Sequence, residues 1–102
     1  MLTVIETPVF LATAGAFWND DQRVEFVDFI ASNPLAGDVI PGSGGLRKVR
    51  WAAKGHGKRG GARVIYFNQL DDGQIVLLAA YAKNEAADLP RKTIRRLKDG
   101  AS

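Results

Sequence analysis

The sequence predicts an α+β fold: a small antiparallel β-sheet with an N-terminal strand and two N-terminal helices packed on one face, and a short C-terminal helix. Apolar residues follow helical spacing in two segments of the first third of the chain. Three β-rich runs then follow one another between residues 46 and 82, with short connections that favour antiparallel neighbours. The length of 102 residues suits a single domain, residues 1–102.

The N-terminal strand and the first helix are indicated by local signals. Residues 2–6 are rich in apolar and β-branched side chains, which is typical of a strand. Thr7 then supplies an N-cap, and Pro8 stands at the first helical position, where an N–H group would have no partner within the helix. Apolar residues recur at helical spacing as far as Phe17, so the sequence predicts a helix over residues 8–17.

A second helix is predicted to begin at Asn19. This residue is a favourable N-cap, and Gln22 stands three positions later, where it completes a capping box. Two acidic residues in the first turn favour the positive end of the helix dipole. Asn33-Pro34 ends the helix, because the residue before a proline avoids the helical conformation. Residues 35–45, which are rich in glycine and proline, are predicted to form a loop.

The rest of the chain predicts a three-stranded antiparallel meander. Its strands are residues 46–53, 62–68 and 74–82. In the first strand, Val49 and Trp51 share one face, and Lys48 and Arg50 share the other. The third strand is almost wholly apolar, which predicts a central strand buried on both faces. An Asp-Asp-Gly turn joins the last two strands, and residues 90–98 are predicted to form the short, basic C-terminal helix.

Composition excludes several classes of function. The chain has no cysteine, so disulfides, thiolate metal sites and cysteine nucleophiles are all excluded. A single histidine excludes a metal site built from several histidines, and we expect neither a metal nor a cofactor. No apolar run approaches the ~18 residues that a membrane span needs, and the N-terminus lacks the pattern of a signal peptide. We therefore expect a cytoplasmic protein that does not contact membranes.

Charge is distributed unevenly along the chain. Residues 1–46 carry six acidic residues and one basic residue, a net charge of −5, whereas residues 47–102 carry five acidic and thirteen basic residues, a net charge of +8. Seven basic residues and no acidic one lie between positions 47 and 63: Arg47, Lys48, Arg50, Lys54, Lys58, Arg59 and Arg63. Glycines and an aromatic residue are interleaved with these basic residues. The cluster therefore differs from the evenly spread charges of a solvent-exposed helix face. This half of the chain is predicted to bind a polyanion.

A glycine-rich basic loop, residues 54–61, lies within this stretch. Its spaced glycines match the G-x-G-x-x-G pattern, but a strand follows instead of a helix, so a dinucleotide site is not predicted. A phosphate-binding Walker loop is excluded because an arginine stands where serine or threonine is required. Glycine nevertheless lets the backbone approach a phosphate, and nearby cations neutralise it. The cationic groups of the loop are Lys54, His56, Lys58 and Arg59.

Aromatic and basic residues are mixed on the predicted sheet. They are Arg50, Trp51, Arg63, Tyr66 and Tyr81. Single-stranded RNA is held by stacking on aromatic side chains together with backbone contacts, although residues such as Trp51 and Tyr66 are more often part of the core. Arg63 stands in an otherwise apolar strand, so it either binds a ligand or is solvated at the start of the strand.

Three blocks of sequence carry a resemblance to a known family. They are GLRKVRW (45–51), GKRGGARVIY (57–66) and LAAYAKNE (78–85). In this order and at this total length, they resemble the HigB-like branch of the RelE/ParE toxin superfamily, and with the preceding helices the resemblance covers nearly the whole chain. It implies a RelE-like fold and a toxin of a bacterial type II toxin–antitoxin system. Such a toxin enters the ribosomal A site and cleaves mRNA there, so translation is inhibited.

The resemblance also implies a cleft lined by cations from the central strands and the loop between them. Its candidate catalytic residues are Lys54, Lys58, Arg63 and Lys83. The candidate RNA-binding residues are Arg47, Lys48, Arg50, His56 and Arg59. Several relatives place a tyrosine or histidine near the C-terminus for proton transfer. Residues 84–90 contain neither, which leaves Glu85 as the candidate acid or base there.

The implied reaction needs no metal, because RNA carries its own nucleophile, the 2′-hydroxyl. A base must activate that hydroxyl, cations must stabilise the developing negative charge, and an acid must protonate the leaving 5′-oxygen. Arg63 is the candidate for charge stabilisation, since a guanidinium binds phosphate through two hydrogen bonds. Lys54 and Lys58 are candidates for proton transfer or charge stabilisation, and surrounding cations favour the neutral amine of a lysine, which suits proton transfer.

The implied partners are the ribosome, mRNA and a cognate antitoxin, expected to be a helix-turn-helix DNA-binding protein. The antitoxin is expected on the helical face, because the second helix offers more apolar surface than one buried stripe needs. The residues concerned are Val24, Phe26, Val27 and Phe29. Two alternatives use the same basic surface: a non-catalytic RNA- or ribosome-binding module, and an interaction protein that docks an acidic partner.

Overall fold

The computed structural model describes residues 2–52, 62–82 and Arg96. In chain order the elements are β1 (Thr3–Glu6), α1 (Pro8–Ala14), α2 (Asp20–Ser32), β2 (Asp38–Val39), β3 (Arg47–Trp51), β4 (Ala62–Gln69), a 3₁₀ turn (Leu70–Asp72) and β5 (Gln74–Ala82). The described residues thus form a small α+β fold with two helices and a five-stranded sheet, which confirms the predicted fold class at that level. In these residues no helix combines the length and the apolar character that crossing a membrane requires.

The sheet formed by the described strands is mixed. Its order is β1–β5–β4–β3–β2, and β3, β4 and β5 form the predicted antiparallel meander. The prediction of a wholly antiparallel sheet is wrong, because β1 pairs with β5 in parallel, from Thr3 opposite Gln74 to Glu6 opposite Leu77. Both helices intervene between β1 and the other strands, so no hairpin fixes the direction of β1.

The sequence predicts the start of α2 correctly, but it predicts the end of α1 too late. The capping box is present, with reciprocal hydrogen bonds of 2.9 Å between Asn19 and Gln22. The first helix is shorter than the predicted range 8–17, since it ends at Ala14. The chain continues in a tighter turn in which Phe17 N donates to Ala14 O at 2.9 Å.

A short strand lies within the predicted loop 35–45. Asp38 and Val39 form β2, which pairs antiparallel with the start of β3. The pairing is extended by Ile40 N, which donates to Leu46 O at 2.8 Å. Two residues are too few to show an alternating pattern, so the sequence could not predict this strand.

Apolar residues fill both faces of the sheet. On the face that carries the helices, called the helix face, Phe10 and Phe26 pack against strand residues such as Val64 and Leu77. The opposite face, called the back face, carries a second buried cluster of Leu46, Ile65, Phe67, Val76, Leu78 and Tyr81. Because β5 contributes to both clusters, the prediction that it is a central strand buried on both faces is confirmed.

A β-bulge lies in β5 at Leu78. The register with β4 skips this residue, since Leu77 and Ala79 oppose consecutive residues of β4. Leu78 and Tyr81 are three positions apart, yet both pack on the back face. In a regular strand they would point to opposite faces, so the bulge is what brings Tyr81 to the back face.

Candidate nucleic-acid interface

Two arginines and a tyrosine form a row across three strands on the back face. The register places Arg50 of β3 opposite Arg63 of β4, and Arg63 opposite Tyr81 of β5. Val49 and Val64, which adjoin the two arginines in sequence, pack on the helix face. By alternation, both arginines point to the back face, where Arg50 is exposed and Arg63 is half-buried. Arg63 is the second residue of β4 and is half-buried, a position that fits both alternatives predicted from the sequence, a ligand-binding residue and a solvated residue at the start of the strand.

Lys48 adds a third cation to the back face. It lies two residues before Arg50 in β3 and is half-buried, which confirms the predicted sharing of one face by these two residues. In the register, Lys48 lies opposite Asp38 of β2. Arg50 and Arg63 instead lie opposite each other. The register therefore brings two arginines to directly opposite positions of neighbouring strands.

The pairing of Arg50 with Arg63 makes the site suitable for an anion. Residues directly opposite in antiparallel strands have Cβ atoms about 4.5–5.5 Å apart, and like charges at such positions destabilise the sheet. An anion that contacts both arginines would offset that repulsion. Phosphate is well suited, because a guanidinium donates two parallel hydrogen bonds to it.

Arg47 does not join this row, although the sequence groups it with the other cations. It lies opposite Tyr66 on the helix face, and its Nη1 donates to Gly37 O at 2.7 Å. The guanidinium thereby holds the loop that follows α2. The helix-face position of Arg47 follows from the alternation of side chains along a strand, because Arg47 lies an even number of residues from Val49 and Trp51.

Trp51 and Tyr66 belong to the helix-face core. The Trp51 ring stacks on Phe29 with centroids 4.8 Å apart and meets Phe26 edge-on at 5.9 Å. Tyr66 is fully buried. The alternative that these two aromatic residues are core residues is confirmed, and neither offers a stacking platform beside the arginines.

A polar contact that the sequence did not reveal, called the Tyr66 latch, fixes the loop after α2. The Tyr66 hydroxyl accepts from Gly37 N at 3.0 Å and donates to Pro34 O at 2.9 Å. Asn68 Nδ2 donates to the same carbonyl at 2.9 Å. A Cβ atom on Gly37 would lie 2.5 Å from Lys48 O, so the loop approaches β3 too closely for a side chain there. Burial raises the pKa of Tyr66, with the hydrogen bond from Gly37 opposing it.

The surface of α2 is less apolar than the sequence suggests. Phe26 is fully buried, and Val27 and Phe29 pack against the same core. Among the apolar residues that led us to expect a partner on the helical face, Val24 is the one that stays exposed. The helix needs a wide apolar stripe because it packs on the sheet and on α1 residue Phe10 together.

The other predicted site residues lie outside the described residues. They are Lys54, His56, Lys58, Arg59, Lys83 and Glu85. The same holds for the predicted loop 54–61 and the predicted C-terminal helix 90–98, except that Arg96 is helical and exposed. In the chain, residues 53–61 join β3 to β4 at the end that carries Arg50 and Arg63, and Lys83 directly follows β5.

No protein-family model matches the chain. In the part of the chain that the structure describes, no group of three or more histidine, cysteine, aspartate or glutamate side chains is arranged to hold a metal ion. The described feature with the clearest chemistry is therefore the arginine pair on the back face.

Proposed function

We propose that this protein is a RelE-like, HigB-like toxin of a type II toxin–antitoxin system. It cleaves mRNA in the ribosomal A site by attack of the 2′-hydroxyl on the adjacent phosphorus, without a metal or cofactor, and so inhibits translation in the cytoplasm. Its partners are the ribosome, mRNA and a cognate antitoxin of the helix-turn-helix class. The observation that carries the proposal is the in-register pair of Arg50 and Arg63 on the face opposite the helices.

The arginine pair supports an RNA phosphate as the ligand. An RNA phosphodiester that contacts both arginines is bound more strongly than by either alone, because each guanidinium supplies charge and paired donors. Lys48 on the same face extends the positive surface along β3. Phosphate contacts of this kind fix the register of an RNA backbone without reading its bases.

The proposed roles follow the needs of the reaction. Arg63 stabilises the negative charge that develops on the phosphorane, and Arg50 positions the neighbouring backbone. Lys54 and Lys58 serve in proton transfer, and Lys83 completes the phosphate cradle. The products are a 2′,3′-cyclic phosphate or 3′-phosphate and a 5′-hydroxyl. The ribosome orients the mRNA for attack. This alignment supplies part of the catalysis, so the proposed acid–base residues can suffice without a C-terminal tyrosine or histidine.

The deciding experiment compares two arginine variants that remove the same charge. Arg63→Ala is expected to abolish growth inhibition and cleavage of mRNA on programmed ribosomes, with an unchanged circular dichroism spectrum. Arg23→Ala is the matched control, because Arg23 lies on the helix side and pairs with Glu6 at 2.8 Å and Asp20 at 2.7 Å. Normal cleavage by Arg63→Ala would refute the assignment.

The same assay separates the alternatives. Wild-type protein that binds ribosomes but leaves mRNA intact would be a non-catalytic RNA- or ribosome-binding module. Binding to RNA that hardly depends on salt would favour docking of an acidic protein instead, since phosphate contacts release counterions. Equal rates on naked RNA and on programmed ribosomes would contradict the need for the ribosome.

A further inference from the structure

An open groove lies on the helix side of the sheet, at the end away from the arginine pair. Its volume is about 540 Å³. Three apolar side chains line it, although each is strongly exposed: Leu35 at 63%, Val39 at 52% and Leu70 at 49%. Single exposed apolar residues are ordinary, but several that line one concave surface indicate a binding site.

The polar lining of the groove accepts hydrogen bonds and positive charge. Asp71 and Asp72 line it, both are exposed, and neither forms an ion pair with any other described residue. The cation in the lining, Arg47, already donates to Gly37 O. The groove therefore offers two carboxylates without an ion-pair partner among the described residues, beside exposed aliphatic surface.

We infer that this groove docks a segment of a partner protein in which a lysine or arginine lies beside aliphatic residues. The aliphatic side chains cover Leu35, Val39 and Leu70, and the cation pairs with Asp71 and Asp72. An RNA backbone or an anionic membrane is disfavoured, since both carboxylates would repel it. The groove also borders β2, whose outer edge has no strand neighbour in the described sheet, so an extended segment can add to it.

This docking site is independent of the proposed nuclease function. Arg50 and Arg63 lie on the opposite face of the sheet and at the opposite ends of β3 and β4 from the groove. A segment bound in the groove therefore leaves the arginine pair open.

The experiment is a selection of binders from a random linear peptide library displayed on phage, with the purified full chain as the target. The selected peptides are expected to place a lysine or arginine next to aliphatic residues. A synthetic peptide of the selected sequence should bind the Asp71→Asn/Asp72→Asn variant at least tenfold more weakly than wild type, and Leu35→Ser should also weaken it. Glu25→Gln/Asp28→Asn on exposed positions of α2 is the charge-matched control and should bind normally.

Each other outcome overturns the inference. Failure to enrich peptides, or enrichment of acidic ones, would show that the groove does not recognise basic aliphatic segments. Equal affinity for wild type and Asp71→Asn/Asp72→Asn would place binding elsewhere. Self-association in size-exclusion chromatography that Leu35→Ser abolishes would identify a second copy of the chain as the occupant. All variants alter exposed side chains, so thermal unfolding should confirm that each stays folded.

Discussion

Removing the Tyr66 hydroxyl tests how the loop after α2 is held. In Tyr66→Phe, Gly37 N loses its acceptor inside the protein, whereas Pro34 O keeps the hydrogen bond from Asn68. A buried donor left without a partner costs about 1–3 kcal/mol, and a satisfied acceptor adds little. We therefore expect Tyr66→Phe to lower the free energy of unfolding by about 2 kcal/mol.

Urea unfolding measures this loss. With a slope of about 1.5 kcal/mol/M, the midpoint should fall by roughly 1.3 M at an unchanged slope. Asn68→Ala provides the second arm of a double-mutant cycle, because the two side chains share Pro34 O as an acceptor. The double variant should lose more stability than the sum of the single losses, by about 0.5–1 kcal/mol. A loss below 0.5 kcal/mol in Tyr66→Phe, or strict additivity, would refute the shared latch.

The latch also predicts a dependence on alkaline pH. Burial raises the pKa of Tyr66 in the folded protein, so above pH ~10 the unfolded chain releases the phenolic proton first. The stability contributed by the neutral hydroxyl is complete below that pH and declines as pH rises towards the raised pKa. The stability difference between wild type and Tyr66→Phe should therefore narrow above pH ~10. A difference that stays constant would contradict burial of the phenol.

Three further predictions concern single sites. Gly37→Ala should destabilise the protein by about 1–3 kcal/mol, because its Cβ would clash with Lys48 O. Gly15→Ala is the control: the nearest atom to its Cβ is 3.5 Å away, so it should be neutral or stabilise the protein by up to about 1 kcal/mol. Thermal melts of both variants measure these changes. Asn19→Ala should cost about 1 kcal/mol through loss of the capping box, seen as a fall in melting temperature of about 4–8 °C. Arg63→Ala should reduce the slope of log affinity against log salt for single-stranded RNA by about 0.7, and Arg23→Ala should leave that slope unchanged.

Several elements could be predicted from the sequence because their signals are local. The capping box needs only Asn19 and Gln22, and the continuous apolar run of β5 is typical of a strand covered on both sides. The opposite faces of Val49 and Lys48 follow from the two-residue period of a strand. Each of these features depends on residues a few positions apart, so the pattern and the structure agree.

Other elements depend on long-range contacts that no local pattern encodes. The direction of β1 is set by its pairing with β5, at the far end of the described chain. The helix-face position of Arg47 follows from alternation, but its contact with Gly37 depends on how the loop folds back. The meeting of Arg50 with Arg63 requires the register of β3 and β4, which the intervening loop does not reveal. The bulge in β5 has no sequence signature, so the face of Tyr81 could not be predicted.

The bulge at Leu78 makes β5 sensitive to the parity of its length. Before the bulge, the odd-numbered positions Ile75 and Leu77 face the helices; after it, the even-numbered Ala80 does. Deleting Leu78 would leave a regular strand in which every other residue keeps its present face, because the bulge already absorbs this one extra residue. A single insertion or deletion elsewhere in β5, with the bulge retained, would instead exchange the faces on one side of the change. Either the core or the arginine row would then receive the wrong side chains.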